Sequence, residues 1–130
     1  AEAPVDNVPS EGAFLRPTVI EGLSYAARTA TEEIFGPVVT LHPFNSEQEA
    51  VDMANATEYG LAGSVWTADV ERGHAFAQRM DTGIVWVNTW LNRDLRTPFG
   101  GVKQSGVGRE GGAWSLNFFS ELTNICVQQP

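Results

Sequence analysis

Apolar residues run along this chain in two rhythms. Val38-Val39-Thr40-Leu41 follows Gly36-Pro37, and Ile84-Val85-Trp86-Val87 follows Asp81-Thr82-Gly83. Short apolar, β-branched runs bounded by turn residues predict strands. Leu61 to Trp66 predicts another, and residues 13–20 one more, which Pro17 confines to an edge or a bulge. The second rhythm is helical. Ser46 is followed three residues later by Glu49, the spacing of a capping box, and Ala50, Val51, Met53 and Ala54 then form one face, which Gly60 closes. Asp69 opens a second helix with an inner stripe of Val70, Gly73, Ala77 and Met80, and Phe76 beside it.

Strands alternating with helices of this length predict an α/β fold with parallel pairing through right-handed crossovers. Ile84 to Val87, apolar on both faces, fits a strand covered from above and below. Residues 38–88 are therefore expected to form a three-layer parallel-sheet unit. From Thr89 to Gly112 the periodicity vanishes, and six glycines fall in that stretch (100, 101, 106, 108, 111 and 112). A structureless stretch so long is usually functional or a sign of misassigned elements, and an ordinary loop is the alternative. A short helix at 114–119 and a terminal strand at 122–127 complete the pattern. The expected organisation is a loop at 1–12, a partial α/β domain at 13–120, and a strand and tail at 121–130.

Composition narrows the function classes. The 130 residues are 42% hydrophobic and 18% charged, with a formal net charge of −8, which excludes collagen-like and disordered acidic chains. Residues 1–71 hold twelve acids against Arg16 and Arg28, whereas residues 72–130 hold four acids against six basic residues. With Lys103 the one lysine, a phosphate backbone has little to bind, so a nucleic-acid partner is not expected. No run of ~18 apolar residues predicts a membrane span. The start, Ala1-Glu2-Ala3-Pro4, has neither the basic nor the apolar region of a signal peptide. A cytoplasmic setting is expected, and the missing initiator Met suggests a cut or processed chain. Cys126 stands alone, which rules out an internal disulfide and the Cys/His zinc spacings, and its apolar surroundings read as structural.

Gly106-Val107-Gly108-Arg109-Glu110-Gly111 spells G-x-G-x-x-G. The dinucleotide fingerprint needs that turn directly after a buried strand, with an acid about 20 residues further on. Pro98 to Ser105 does not read as such a strand, and 18 residues follow Gly112, so a tight loop explains these glycines better. His42 and His74 have no Ser or Cys at a nucleophile–base spacing. From the residues alone, the chain holds no complete active site.

Four segments in this order are more specific than any one: Glu32-Glu33-Ile34-Phe35-Gly36-Pro37; Asn55 to Ala62; Gly83-Ile84-Val85-Trp86-Val87-Asn88; and Pro98-Phe99-Gly100-Gly101 running on to Gly108-Arg109-Glu110. Together they resemble the C-terminal part of the NAD(P)-dependent aldehyde dehydrogenases. Asn88 to Phe99 and the ending Glu121 to Val127 look most like the 2-hydroxymuconic and 2-aminomuconic semialdehyde dehydrogenases.

The resemblance implies that a Cys thiolate attacks an aldehyde, hydride passes to nicotinamide, and a Glu activates water. That Cys, that Glu and the nucleotide domain match positions upstream of this segment, so the segment alone is expected not to turn over. NAD is the implied cofactor, with NADP not excluded. Glu33 matches the glutamate that accepts hydrogen bonds from the nicotinamide ribose, a task suited to a carboxylate's two oxygens. Phe35 matches the aromatic beside the nicotinamide ring. Phe99 matches a wall of the substrate tunnel, and residues 89–97 the loop that closes it. There Trp90 and Leu91 could supply an apolar wall, and Arg93 or Arg96, with Arg93 preferred, a bidentate fork for a substrate carboxylate; the alternative is a bridge to Asp94 or a subunit contact. The tail at 121–127 matches a strand that joins a sheet across a subunit interface, implying a homo-oligomer and an edge prone to self-association. The competing reading is an autonomous, non-catalytic α/β module that reuses the scaffold for assembly.

Overall fold

In the computed structural model, residues 11–130 are described, and the loop expected at 1–12 lies, up to residue 10, outside them. The chain divides into two compact units, residues 1–58 and 59–130.

In the first unit, β1 (Thr18–Glu21) pairs in parallel with β2 (Val38–Leu41), Thr18 opposite Val38 and Glu21 opposite Leu41. Both strands alternate half-buried and exposed positions. β1 begins directly after Pro17, and the Thr18 N–H donates to the Pro37 carbonyl at 2.8 Å, so the expected strand at 13–20 is shortened to the part with ladder donors. A single turn, α1 (Arg28–Thr31), lies between the strands. α2 (Glu47–Asn55) follows β2, capped by the Ser46 hydroxyl, which accepts from the Glu49 N–H at 3.1 Å. The Glu49 carboxylate reaches back to the Asn45 N–H at 2.7 Å. The box therefore closes one residue further back than the standard pattern. Val51 on α2 is buried at 5% exposure. The helix ends at Asn55, not at Gly60.

In the second unit, β3 (Tyr59–Gly60) pairs antiparallel with β6 (Val102–Lys103). β4 (Ala62–Val65) pairs in parallel with β5 (Ile84–Val87), Ala62 opposite Ile84. The crossover between β4 and β5 is α3 (Val70–Ala77), capped by Asp69, whose carboxylate accepts from the Arg72 N–H at 3.0 Å. Gly73 is the buried position of α3. A Cβ there would meet Val87 and Thr67 at 2.8 Å, so the missing side chain is what lets the helix lie down on β5. Val70, expected inside, is 64% exposed. α4 (Gly112–Phe119) closes the unit.

Two expectations change. The α/β alternation is present, but the strands of residues 38–88 do not form one parallel sheet: β2 pairs with β1, and β4 with β5. Periodicity identifies strands and not their neighbours, and the Pro-containing segment at 17–20 supplied β2's partner. Residues 120–130 form no strand. A strand exists by pairing, and nothing in the described residues pairs with this tail; Leu122, Ile125 and Val127 are exposed at 79–91%. Cys126 is exposed too, which removes its packing role. Among the described residues no helix is long and apolar enough to cross a membrane, and no cluster of His, Cys, Asp or Glu could hold a metal ion.

Candidate functional site

In the second unit the aperiodic stretch is organised by main chain. Phe99 and Glu110 form an antiparallel bridge, each N–H donating to the other's carbonyl at 2.8 Å. The Arg109 guanidinium donates from Nη1 to the Gly101 and Gly108 carbonyls at 3.0 and 2.6 Å, tying the glycine turn to itself. The Gly60 N–H donates to Ser105 Oγ at 2.9 Å, and the Gly83 N–H to the Gly60 carbonyl at 3.1 Å. A Cβ on Gly83 would overlap the Gly100 carbonyl, so β5 begins where the Gly100-Gly101 turn touches it. The result is a cavity of about 320 Å³ lined by Phe99, Gly100, Arg109, Glu110, Phe118 and Phe119 among others. The G-x-G-x-x-G stretch forms part of its rim and follows a strand of two residues, consistent with a tight loop.

Arg93 and Phe99 are brought together. The guanidinium carbon lies 3.9 Å from the Phe99 ring centroid, a cation–π stack. Its Nη2 donates to Glu110 Oε1 at 3.1 Å, while Nε is buried without a hydrogen-bond partner. Arg96 points elsewhere, bonded to the Asp94 carboxylate through Nε and Nη2. The pair holds the Asp94 carboxyl below its ordinary range and raises the Arg96 guanidinium, and the Arg96 N–H adds a bond to the same carboxylate at 2.9 Å. Trp90 stacks edge-on against Trp86 with ring centroids 4.9 Å apart. Leu91 is 67% exposed, with φ at 57°.

The first unit places Glu33 and Phe35 on the segment between α1 and β2. They line a hollow of about 320 Å³ with Thr29, Glu32, Ile34 and Gly36 among others. Of the two adjacent glutamates, Glu32 is taken: the Arg28 guanidinium donates to both of its oxygens at 2.7 and 2.8 Å and lowers its carboxyl pKa. Glu33 has no hydrogen-bond or ion-pair partner among the described residues. Phe35 is 92% exposed with φ at 51°. A large aromatic held outward on a left-handed backbone is costly unless something covers it. The hollow thus holds a partnerless carboxylate two residues from a displayed ring.

Two residues that sequence reasoning passed over complete the picture. Glu110 was visible only as part of the glycine-rich motif, yet it joins Phe99 through main chain and Arg93 through side chain. Trp86 was read as a core strand residue; its indole Nε1 donates to the Asn92 carbonyl at 2.7 Å. The available signal was a buried indole N–H in a strand, which must find an acceptor.

The sequence profile of the aldehyde dehydrogenase family matches residues 2–125. A 2-aminomuconic 6-semialdehyde dehydrogenase from a Pseudomonas species is 58% identical over 117 residues, covering 90% of this chain and 24% of that protein. The 2-aminomuconic semialdehyde dehydrogenase of Mus musculus is 49% identical over the same shares. Among solved structures, a Mycobacterium tuberculosis aldehyde dehydrogenase complexed with NAD+ superimposes with a TM-score of 0.80 at 42% identity, covering 88% of this chain and 24% of that one. The chain thus spans about a quarter of the length of the relatives it matches.

Proposed function

The chain belongs to the aldehyde dehydrogenase family, and from that premise we propose that it supplies the substrate-selecting wall and the nicotinamide-ribose anchor of an NAD-dependent oxidation of a carboxylate-bearing semialdehyde. NADP in place of NAD remains compatible with the residues. The observation that carries this reading is the Arg93–Phe99–Glu110 assembly: a half-buried guanidinium over an aromatic ring and paired with a carboxylate. Its Nη1 and the second N–H of Nη2 remain to take a carboxylate in bidentate fashion while the ring confines the apolar part of the aldehyde. Arg96 is the weaker candidate, because Asp94 already occupies its fork. Trp90 and Leu91 flank Arg93 on the loop and extend the apolar surface.

Glu33 would accept the two ribose hydroxyls, and Phe35 would restrain the nicotinamide ring. When bound, the cofactor supplies the hydride acceptor. The remaining chemistry needs a thiolate and a water-activating base. Cys126 sits in an exposed tail and is not offered as that thiolate. The 130-residue chain alone is therefore expected to give no steady reduction of NAD, and the tail from 121 to 130 is proposed to become a strand when a neighbouring subunit presents a sheet edge, making a homo-oligomer.

The test is Arg93→Ala in the complete enzyme carrying this segment. KM for a semialdehyde ending in a carboxylate should rise by a factor of about a hundred, in the range of a lost charge-assisted bidentate contact. KM for a neutral aldehyde of equal length should change by no more than about threefold. Equal losses for both would remove the carboxylate assignment.

A further inference from the structure

The loop that carries Arg93 is fixed at two points, one made by the residue that follows β5 and one by β5 itself. Asn88, directly after β5, turns the chain with φ at 54° and locks it to the end of β4. Its Nδ2 donates to the Thr67 carbonyl at 2.7 Å, its Oδ1 accepts from the Thr67 N–H at 2.8 Å, and its own N–H donates to the Val65 carbonyl at 2.8 Å. Four residues on, the Asn92 carbonyl accepts the Trp86 indole N–H. Between these points Leu91 holds a left-handed φ of 57°. That conformation is sparsely populated outside glycine and persists where its surroundings over-determine it.

We propose that Trp86 is a positioning residue for substrate selection: its indole N–H pins the main chain at Asn92, and so fixes where Arg93 presents its guanidinium over Phe99. The proposal rests on the carboxylate role given to Arg93 above. A tryptophan serving only to fill the core needs burial, which Trp86 has at 7% exposure. Its hydrogen bond, however, goes to the residue immediately before Arg93 and not to a strand or helix neighbour. Its ring also meets Trp90 edge-on on the same loop at 4.9 Å. Burial of the ring and placement of the loop are thus one interaction. Arg93 cannot absorb a shift of its main chain freely. Its side chain is clamped between the Phe99 face and the Glu110 carboxylate, and its Nε is already buried without a partner. Displacing the Asn92 carbonyl would therefore tilt the fork that meets the substrate.

Two changes remove the N–H while keeping an aromatic ring: Trp86→Phe, and replacement of Trp86 by β-(3-benzothienyl)alanine, which keeps the two-ring shape and exchanges N–H for sulfur. Each is assayed in the complete enzyme, with a six-carbon semialdehyde ending in a carboxylate and with hexanal. The expected result is a rise of about tenfold in KM for the carboxylate substrate. KM for hexanal, and kcat for both substrates, should stay within about twofold. Val51→Ala, a buried change in the first unit, serves as the comparison and should leave the ratio of the two KM values unmoved. An unchanged ratio in the isosteric protein, or equal changes for both aldehydes, overturns the proposal. If Trp86→Phe does not fold, the isosteric protein decides between these outcomes. A wild-type enzyme indifferent to the carboxylate, or an Arg93→Ala enzyme with its ratio intact, would instead overturn the proposed function, so the two failures are distinguishable.

Discussion

Each of the two strand pairs is parallel and four residues long, and they present their candidate residues in opposite ways. β4–β5 carries its own crossover helix: α3 packs on both strands, Gly73 rests on Val87, and Trp86 is buried. The loop that leaves this pair is pinned at Asn88 and Asn92 and delivers Arg93 already stacked and ion-paired. β1–β2 alternates half-buried with exposed positions. The segment before β2 leaves Phe35 exposed and Glu33 without a partner among the described residues. Selecting one aldehyde from another demands a fork fixed to within about 0.5 Å, which needs a supporting shell. Holding a ribose and a flat ring demands a displayed carboxylate and a displayed aromatic. On the proposed roles, the difference in packing follows the difference in task.

The sharpest way to break the comparison is Gly83→Ala. The new methyl would collide with the Gly100 carbonyl, a main-chain atom that cannot rotate away. Overpacking costs roughly 1–3 kcal/mol and more where backbone must move, so a loss of about 3 kcal/mol is expected. Thermal unfolding should show it together with release of the glycine turn, seen as faster amide exchange at Phe99 and Glu110. Exchange at Thr18 and Thr40, on the β1–β2 pair, should be unchanged. If both pairs loosen alike, the division of labour between them is wrong.

Much of this was legible in the residues, for local reasons. Ser46 and Asp69 announced their helices because a cap is a contact between neighbours in sequence. The aperiodic Thr89–Gly112 stretch announced a loop with work to do. What could not be read was pairing over distance. The β1–β2 ladder, the Phe99–Glu110 bridge and the Trp86–Asn92 bond depend on where the chain returns, which neither period nor propensity encodes. The resemblance supplied the identities of Glu33, Phe35 and Phe99; the residues offered a bridge to Asp94 as the alternative for either arginine, and geometry showed that Arg96 makes it while Arg93 stacks on Phe99. The tail at 121–127 has strand propensity, and the partner expected for it belongs to a neighbouring subunit and not to this chain.

A smaller effect comes from the two caps. Ser46→Ala should cost about 1 kcal/mol, the usual value for a lost N-cap acceptor, through the first turn of α2. Asp69→Ala should cost a similar amount through α3 but should also disturb the second unit further, because α3 is the element laid across both β4 and β5. Circular dichroism melts give the sizes. Amide exchange at Val85 tests the asymmetry, with faster exchange expected in the Asp69 variant and no change in the Ser46 variant.

The smallest effect is electrostatic and separates the two regions by the kind of contact each uses. Glu32 is held below its ordinary pKa by the Arg28 side chain alone, through hydrogen bonds first and then charge. Asp94 is lowered by the Arg96 side chain and, in addition, by the Arg96 main-chain N–H. Both carboxyls are depressed, so the stability they contribute is present above the ordinary carboxylate range. It fades as pH falls through their lowered values, with little consequence near neutrality because both pairs stand in solvent and surface pairs are weak. Removing the arginines should part them. Arg28→Ala should return the Glu32 titration midpoint to its ordinary value, since no main-chain donor remains to it. Arg96→Ala should leave the Asp94 midpoint still depressed, because an alanine keeps the N–H that bonds the carboxylate at 2.9 Å. Carboxyl carbon titration by NMR reads both midpoints. A full return at Asp94 would mean that the Arg96 main-chain N–H does not hold this carboxylate once the guanidinium is gone, and the contrast between the two regions would not extend to this end of the loop.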